Sequence, residues 1–372
     1  MSTIAVVGAG HAGVEAAFTL AAAGHAVTLF SNENCLPYFR PRLIAVAFGQ
    51  TAPDAIRIKP VEAYEKAGIT LRHAPVTELG TEARTVNGET FDGIILSQGS
   101  RPFVPPFAGT GVADIHTLWT LADALKLREA ATPGKRLTVI GGGVLGLEAA
   151  LRAAMSGMKV TVVERLPALL NGILGSNGEA VLRHTLETKG ITLVTGKNIL
   201  TVDTDAIRLE NAPAVPHDLV LCSAGARPMV TLAEAAGYTT DAGLLTRPTL
   251  AVAPRIYAAG DLARPTERRP VCAVRRASAM GKLAAQNLSA ELTGNGGSEW
   301  TDPTLPLFMK VEDVEFHTLG DCFSPDTEEV REDDGSNPLV WKSTLRRNDT
   351  IVGFRLVGTR AGYGDFEKML NK

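Results

Sequence analysis

The chain has 372 residues, 45% hydrophobic and 21% charged, an ordinary soluble composition with room for two or three domains and sizeable cores. A net charge of −3 with no long basic stretch gives no reason to expect a nucleic-acid partner, and no apolar run is long enough to span a bilayer. Cys35, Cys222, Cys272 and Cys322 form no C-x-x-C or C-x4-C pair, so neither a redox dithiol nor a zinc site is spelled out and no metal is expected.

The first predicted element is the apolar strand Ile4-Ala5-Val6-Val7, which runs straight into Gly8-Ala9-Gly10-His11-Ala12-Gly13 and a small-residue helix. No basic segment precedes the apolar run, so no secretory leader is expected and the protein is read as cytoplasmic. In this G-x-G-x-x-G turn Gly8 permits the sharp bend and Gly10 leaves the backbone open to a pyrophosphate. Gly13 lets helix and strand approach closely, and the helix N-terminus offers free N–H donors. A single such turn also occurs as a tight β-α connection in other α/β proteins, and what decides here is a second copy further on.

Ala26 to Phe30 reads as the second strand. A unit of this kind wants an acid at its end to bind ribose hydroxyls. The position that corresponds is Ser31, so Glu33, two residues on, is the carboxylate assigned. Cys35 lies at the same nucleotide end and is the one thiol considered for reactivity; nothing near it in sequence lowers its pKa.

Next comes Tyr38-Phe39-Arg40-Pro41-Arg42-Leu43. A Tyr-x-Arg-Pro-x-Leu stretch after a first G-x-G-x-x-G unit resembles the FAD-dependent pyridine nucleotide-disulfide oxidoreductase superfamily. Within it, the NADH:rubredoxin oxidoreductases and ferredoxin reductases are the most similar. The resemblance implies that Arg40 and Pro41 neighbour the flavin, Arg40 also countering phosphate charge. Ferredoxin reductases commonly carry a lysine shortly after this leucine; Ala45 and Ala47 stand there instead.

A helix is predicted from Val61 to Gly68, a strand at Ile69–Leu71, and a hairpin over Thr85–Phe91 turning at Asn87-Gly88. Ile95-Leu96-Ser97-Gln98-Gly99-Ser100-Arg101-Pro102 resembles the superfamily's strand-and-crossover motif, usually Ala-Thr-Gly. Gln98 replaces the threonine, which keeps the backbone role of Gly99 and loses a hydroxyl. Pro102, Pro105 and Pro106 mark a stiff exit from the first domain.

Leu118–Ala130 reads as an amphipathic helix leading to the second copy, Leu137-Thr138-Val139-Ile140-Gly141-Gly142-Gly143-Val144-Leu145-Gly146-Leu147-Glu148-Ala149-Ala150. A shift of 133 carries Gly8, Gly10, Gly13 and Glu15 onto Gly141, Gly143, Gly146 and Glu148, and the Leu221–Pro228 stretch echoes Ile95–Pro102. Two dinucleotide sites in one chain imply electron transfer between two nucleotides. The strand Lys159–Val163 ends in Glu164, whose carboxylate would accept from the ribose hydroxyls of NADH and repel the extra phosphate of NADPH, with Arg165 alongside softening the preference. Glu148 falls in the first turn of the helix. The resemblance gives it the nicotinamide carboxamide to face; an acid there is also favoured by the helix dipole alone.

Pro254-Arg255-Ile256-Tyr257-Ala258-Ala259-Gly260-Asp261 resembles the superfamily's second FAD motif, in which the glycine admits the cofactor and the aspartate bonds the ribityl chain. Val271–Leu288 is the helix expected to aim its start at the flavin. Arg264, Arg268, Arg269, Arg275 and Arg276 surround it; they read either as a solvated charge cluster or as a docking patch for a small acidic electron carrier such as rubredoxin. After the Gly294–Ser298 linker, short strands at Phe316–Leu319, Leu339–Leu345 and Ile351–Val357 make a small last domain, with an acidic surface loop from Glu328 to Gly335.

The expectation is an α/β protein with two Rossmann-like domains of the glutathione-reductase type and a small α+β C-terminal domain. The segments are 1–108 and 229–297 for FAD, 109–228 for NADH and 298–372 for the last domain. FAD would be held by Gly8, Gly10, Gly13, Glu33, Arg40, Pro41, Gly99, Gly260 and Asp261. NADH, in preference to NADPH, would be held by Gly141, Gly143, Gly146, Glu148 and Glu164. No protein acid or base is required, since the resemblance implies direct hydride transfer from nicotinamide to flavin and one-electron release to a rubredoxin-like iron carrier, with a homodimer open. The alternatives are an NADH oxidase or disulfide reductase using Cys35, and a slowly turning-over redox sensor.

Overall fold

The duplication seen in the sequence is a duplication of strand register. The computed structural model describes residues 1–107, 114–266 and 272–370. In it β1 (Thr3–Val7) is followed by α1 (His11–Ala22) and β2 (Ala26–Ser31), with Val7 paired in parallel to Phe30. After a helical turn at Arg40–Arg42 comes the short helix α2 (Leu43–Ala47). The predicted helix forms over Val61–Lys66, then β3 (Ile69–His73) and, after a small hairpin that turns through Asn87 and Gly88, both at positive φ, β4 (Gly93–Leu96).

The second copy begins with the edge strand β5 (Ile115–His116) and the helix α3 (Leu121–Ala130). Its start falls three residues later than predicted because Thr120 and Asp123 form a reciprocal capping box. Then β6 (Arg136–Ile140), α4 (Val144–Met155) and β7 (Lys159–Glu164) repeat the first unit, with Ile140 paired to Val163. Next are α5 (Gly175–Thr188), β8 (Ile191–Thr195), an antiparallel three-stranded sheet within Ile199–Pro216, and β9 (Leu219–Cys222).

The chain continues through β10 (Ala251–Ala253), β11 (Ile256–Ala258) and the long helix α6 (Val274–Leu292). It ends in β12 (Leu307–Val311), β13 (Val314–Gly320), β14 (Glu328–Arg331), β15 (Trp341–Arg347), β16 (Thr350–Val357) and α7 (Tyr363–Leu370).

These elements fall into two compact units. One comprises residues 1–42, 52–101 and 226–303. Its sheet runs β10-β11-β4-β1-β2-β3, parallel except for the β10–β11 pair, and buries Ile4, Val6, Ile94 and Ile95 completely. Both faces are covered, which is why these strands read as unbroken apolar runs. Helices α1 and α6 cross at small residues: a Cβ on Gly281 would lie 2.1 Å from the Ala12 carbonyl.

The other unit comprises residues 43–51, 102–225 and 304–372. It holds the parallel sheet β8-β7-β6-β9-β5 and the antiparallel sheet β12-β13-β16-β15-β14. Cys222 is core, as its apolar strand predicts. The acidic stretch expected as a surface loop instead opens with β14. Its Glu329 is drawn inward, accepting from the Trp341 indole at 3.2 Å and the Ser343 hydroxyl at 2.6 Å.

Candidate functional site

In the first unit the glycine turn is forced by its neighbours. Gly8 has φ +107, and a Cβ there would lie 2.4 Å from the Ser97 carbonyl; one on Gly13 would lie 1.8 Å from the Gly8 carbonyl. The Gly8 N–H donates to Phe30 at 3.0 Å, and the Ser97 hydroxyl lies 3.0 Å from the Val7 carbonyl and 2.9 Å from that of Gly8. Gly10 differs in kind. It caps α1 with no side-chain bond, and a Cβ there would meet nothing within 4 Å. The helix start therefore has no side-chain cap and leaves room beside Gly10 for a phosphate to approach.

The residues around this turn are consistent with a large anionic cofactor. His11 stands at the start of α1, edge-on to Phe39 at 5.1 Å, with its Nε2 buried and without a hydrogen-bond partner among the described residues. Burial, helped by the Arg40 charge, pushes its pKa down to about 4. Gly260, at φ +76, brings the second motif against α1, since a Cβ on it would lie 3.0 Å from that of Ala12. Asp261 accepts from the Ser100 hydroxyl at 2.8 Å. Burial raises its carboxyl above the ordinary range, against the pull of Ser100 and Arg276. Gly99 sits at φ +70, and its carbonyl accepts from Met229 at 2.9 Å.

Ser31 occupies the register position that Glu164 holds in the second copy. Its hydroxyl lies 3.1 Å from the Glu33 N–H, and the Glu33 carboxylate accepts from the Tyr38 hydroxyl at 2.7 Å and pairs with Arg40 at 3.5 Å. Arg40 also lies over the Tyr38 ring, 5.5 Å from its centroid. Pro41 follows within the same helical turn. Cys35 is half-buried, and burial together with the Glu33 charge pushes its thiol up, away from thiolate.

The second unit repeats the turn. A Cβ on Gly141 would lie 2.3 Å from the Ser223 carbonyl and one on Gly146 2.1 Å from that of Gly141, while Gly143 caps α4 over open space. Glu164 is joined to this turn directly. Its Oε2 accepts the Gly142 N–H at 2.7 Å and its Oε1 the Leu166 N–H at 2.7 Å. Glu148 lies one helical turn before Arg152 and pairs with it at 3.0 Å, and Arg152 also donates to Gln50. Burial raises the Glu148 carboxyl and Arg152 opposes that shift.

The arginines around α6, which read either as a solvated charge cluster or as a docking patch, differ in their surroundings. Arg276 is buried, pairs with Asp302 at 3.0 Å and lies over Trp300, while Arg264 pairs with Asp241. Arg275 is exposed, and Arg268 and Arg269, with Pro270 and Val271 at the expected helix start and the Gly109 boundary, lie outside the described residues. Among the described residues no group of His, Cys, Asp and Glu is arranged to hold a metal, and no helix is long and apolar enough to cross a membrane.

Three contributors escape a reading by motif. Ser97 and Ser100 sit inside the quoted Ser97-Gln98-Gly99-Ser100 stretch, where the echo at Ser223 was the available signal for Ser97. Gln50 reaches Arg152 from far along the chain, and no local pattern announces it.

The family described as pyridine nucleotide-disulphide oxidoreductase matches residues 2–281. A probable ferredoxin reductase, CtmF, of Castellaniella defragrans is 31% identical over 274 residues, spanning 70% of this chain and 67% of that protein. A nitrite reductase [NAD(P)H] of Bacillus subtilis is 27% identical over 99% of this chain, which spans 47% of that longer protein. The fold is shared with putidaredoxin reductase in its covalent complex with putidaredoxin, at TM-score 0.86 and 24% identity over 100% of this chain and 92% of that one. It is also shared with the NADH:rubredoxin oxidoreductase of Clostridium acetobutylicum, at TM-score 0.80 and 22% identity over 100% and 95%.

Proposed function

The chain belongs to the pyridine nucleotide-disulphide oxidoreductase family, an FAD-dependent family whose members bind NAD(P)H, and from that premise we propose that it oxidises NADH and delivers the electrons singly to a small iron-containing carrier of the rubredoxin or ferredoxin kind. The observation that carries this reading is the pair of glycine turns with different acids. Glu164 is bonded to its own turn, as an NADH-selecting carboxylate needs to be, while in the first unit Asp261 accepts from Ser100 and follows Gly260, which packs on α1 at Ala12.

In this reading Gly8, Gly10, Gly13, Gly99, Gly260 and Asp261 hold FAD. The N-terminus of α1 and Arg40 meet its phosphates, Pro41 borders the flavin and Glu33 serves the ribose end from its bond with Tyr38. Gly141, Gly143, Gly146 and Glu164 hold NADH, and Glu148, fixed by Arg152, orients the nicotinamide amide. Bound FAD supplies two-electron acceptance from NADH and one-electron release. The chain supplies alignment and exclusion of water, and no side chain has to move a proton to the reacting atoms.

Cys35 argues against the disulfide-reductase alternative, because its raised pKa leaves little thiolate. A rubredoxin-like partner draws support from the C. acetobutylicum fold relative and a ferredoxin from the C. defragrans relative. Anaerobic mixing with NADH and then with either carrier, followed by flavin absorbance, tests the proposal. Fast bleaching and fast recovery with a carrier support it. Bleaching that only oxygen or a disulfide reverses removes the iron carrier, and slow turnover with all acceptors favours a sensor.

A further inference from the structure

Gly142, in the middle of the second turn, is held through both of the peptide groups that flank it. Its N–H donates to Glu164 at 2.7 Å and its carbonyl accepts from the Leu170 N–H at 2.9 Å. The Leu169–Gly172 turn that supplies this second bond lies directly on the glycine turn, since a Cβ on Gly142 would come 2.7 Å from a Leu169 methyl. It is a strained turn. Leu170 and Asn171 both sit in the left-handed region, at φ 52 and φ 53, without being glycine. Such a backbone persists only where its surroundings over-determine it.

Two side chains do so. Glu179, buried on α5, accepts the Leu169 N–H at 3.0 Å. The other is Arg355, from β16 in the C-terminal sheet and 8% exposed. Its Nε donates to the Ile173 carbonyl at 2.7 Å and its Nη2 to the Cys322 carbonyl at 2.8 Å, and its Nη1 pairs with Glu329 at 3.0 Å. The three guanidinium nitrogens thus bind three fixed groups, which sets the position of the Ile173 carbonyl rigidly. Gly175 is shaped to the same contact: at φ +65, a Cβ there would lie 2.6 Å from Arg355 Nη1.

We propose that Arg355 is a positioning residue for NADH, acting through Ile173 and the strained Leu170–Asn171 backbone to hold the Gly142 peptide in its dinucleotide-binding orientation. The C-terminal sheet thereby sets nucleotide affinity without touching nucleotide. The inference rests on the reading that NADH binds at Gly141–Gly146.

The test uses FAD-loaded full-length protein. The NADH concentration dependence of flavin reduction is measured anaerobically for Arg355→Met, Arg355→Lys, Gly175→Ala and Glu164→Gln, alongside NAD⁺ binding by calorimetry and the FAD content. Arg355→Met and Gly175→Ala are expected to weaken NADH and NAD⁺ binding about tenfold while the limiting reduction rate and FAD content stay as in wild type. Arg355→Lys, able to keep one bond to Ile173, should restore part of the affinity. A merely structural role would lower stability and FAD content without this split. Wild-type affinity in Arg355→Met beside weakened Glu164→Gln overturns the proposal alone. Wild-type affinity in Glu164→Gln overturns the underlying reading as well. Should Arg355→Met fail to fold, Gly175→Ala decides, and wild-type affinity there overturns the proposal.

Discussion

Glu148 and Arg152 are bound to one another across one turn of α4, with both the Nε and an Nη of the arginine donating to a single carboxylate oxygen at 3.3 and 3.0 Å. The pair is half-buried, and burial alone favours a neutral acid. Arg152→Met should therefore raise the Glu148 pKa further. Flavin reduction by NADH should then depend on pH more steeply than in wild type, the ionised carboxylate being lost at a higher pH. A variant with the wild-type pH dependence would mean that Glu148 does not meet the nicotinamide. Stopped-flow pH profiles read this directly.

Glu164 should govern the choice of nucleotide. Like charges ~4 Å apart at an effective dielectric of ~20 cost ~4 kcal/mol, nearly a thousandfold, so Glu164→Gln should lift kcat/KM for NADPH by at least tenfold. The same change weakens a bond to the Gly142 N–H and should lower kcat/KM for NADH about tenfold. Steady-state comparison of the two nucleotides measures both effects.

Gly10→Ala and Gly13→Ala should separate folding from cofactor binding. A Cβ at Gly13 meets a backbone carbonyl at 1.8 Å, so that variant should lose both stability, by ~2 kcal/mol or more, and FAD. At Gly10 the fold has room, so the apoprotein should keep its melting temperature while the methyl obstructs the phosphate. FAD titration beside thermal melts of the apoprotein distinguishes them.

Apoprotein stability should fall in mild acid. The pKa values of His11, His116 and His217 are all lowered by burial, so the folded state binds fewer protons than the unfolded one below about pH 6.5. Their contribution is complete above that pH and is lost as pH falls toward the folded values. The raised carboxyl of Asp261 works the other way, gaining stability as pH falls. Melting temperatures from about pH 7.5 to about pH 5 should therefore decline, and His217→Asn should flatten the decline.

Cys35→Ser should leave turnover with an iron carrier within about twofold, since burial disfavours the thiolate. A large loss would revive the thiol mechanism.

The two glycine turns were legible because their constraint is local: Gly8 against Ser97 and Gly141 against Ser223 are the same backbone contact written twice, and a repeat exposes it. Glu164 was legible for the same reason, being the last residue of a strand whose register the turn fixes. Ser31 at the matching position shows where this logic stops, since it has no carboxylate and its hydroxyl meets the Glu33 N–H, while the Glu33 carboxylate is held by Tyr38. The arginines around α6 looked alike in sequence, but Asp302 and Asp241 neutralise two of them from distant segments. Arg355 was invisible for that reason too. It belongs to a strand that reads as ordinary, and its partners Ile173, Cys322 and Glu329 converge only in three dimensions.

The division of the chain has a consequence for biosynthesis. Each unit is assembled from three separate segments that alternate along the sequence, changing at Arg42, Thr51, Arg101, Gly225 and Pro303. A polypeptide leaving the ribosome N-terminus first has both glycine turns in hand early. Yet β1 and α1 wait for β10, β11 and α6, and the bond to the Ile173 carbonyl waits for β16, the last strand in chain order among the described residues. Neither unit can be completed as a stretch of nascent chain, and any truncation before Arg355 leaves the second one open. The first unit needs the chain only as far as Pro303, whereas the second also needs the segment that carries Arg355.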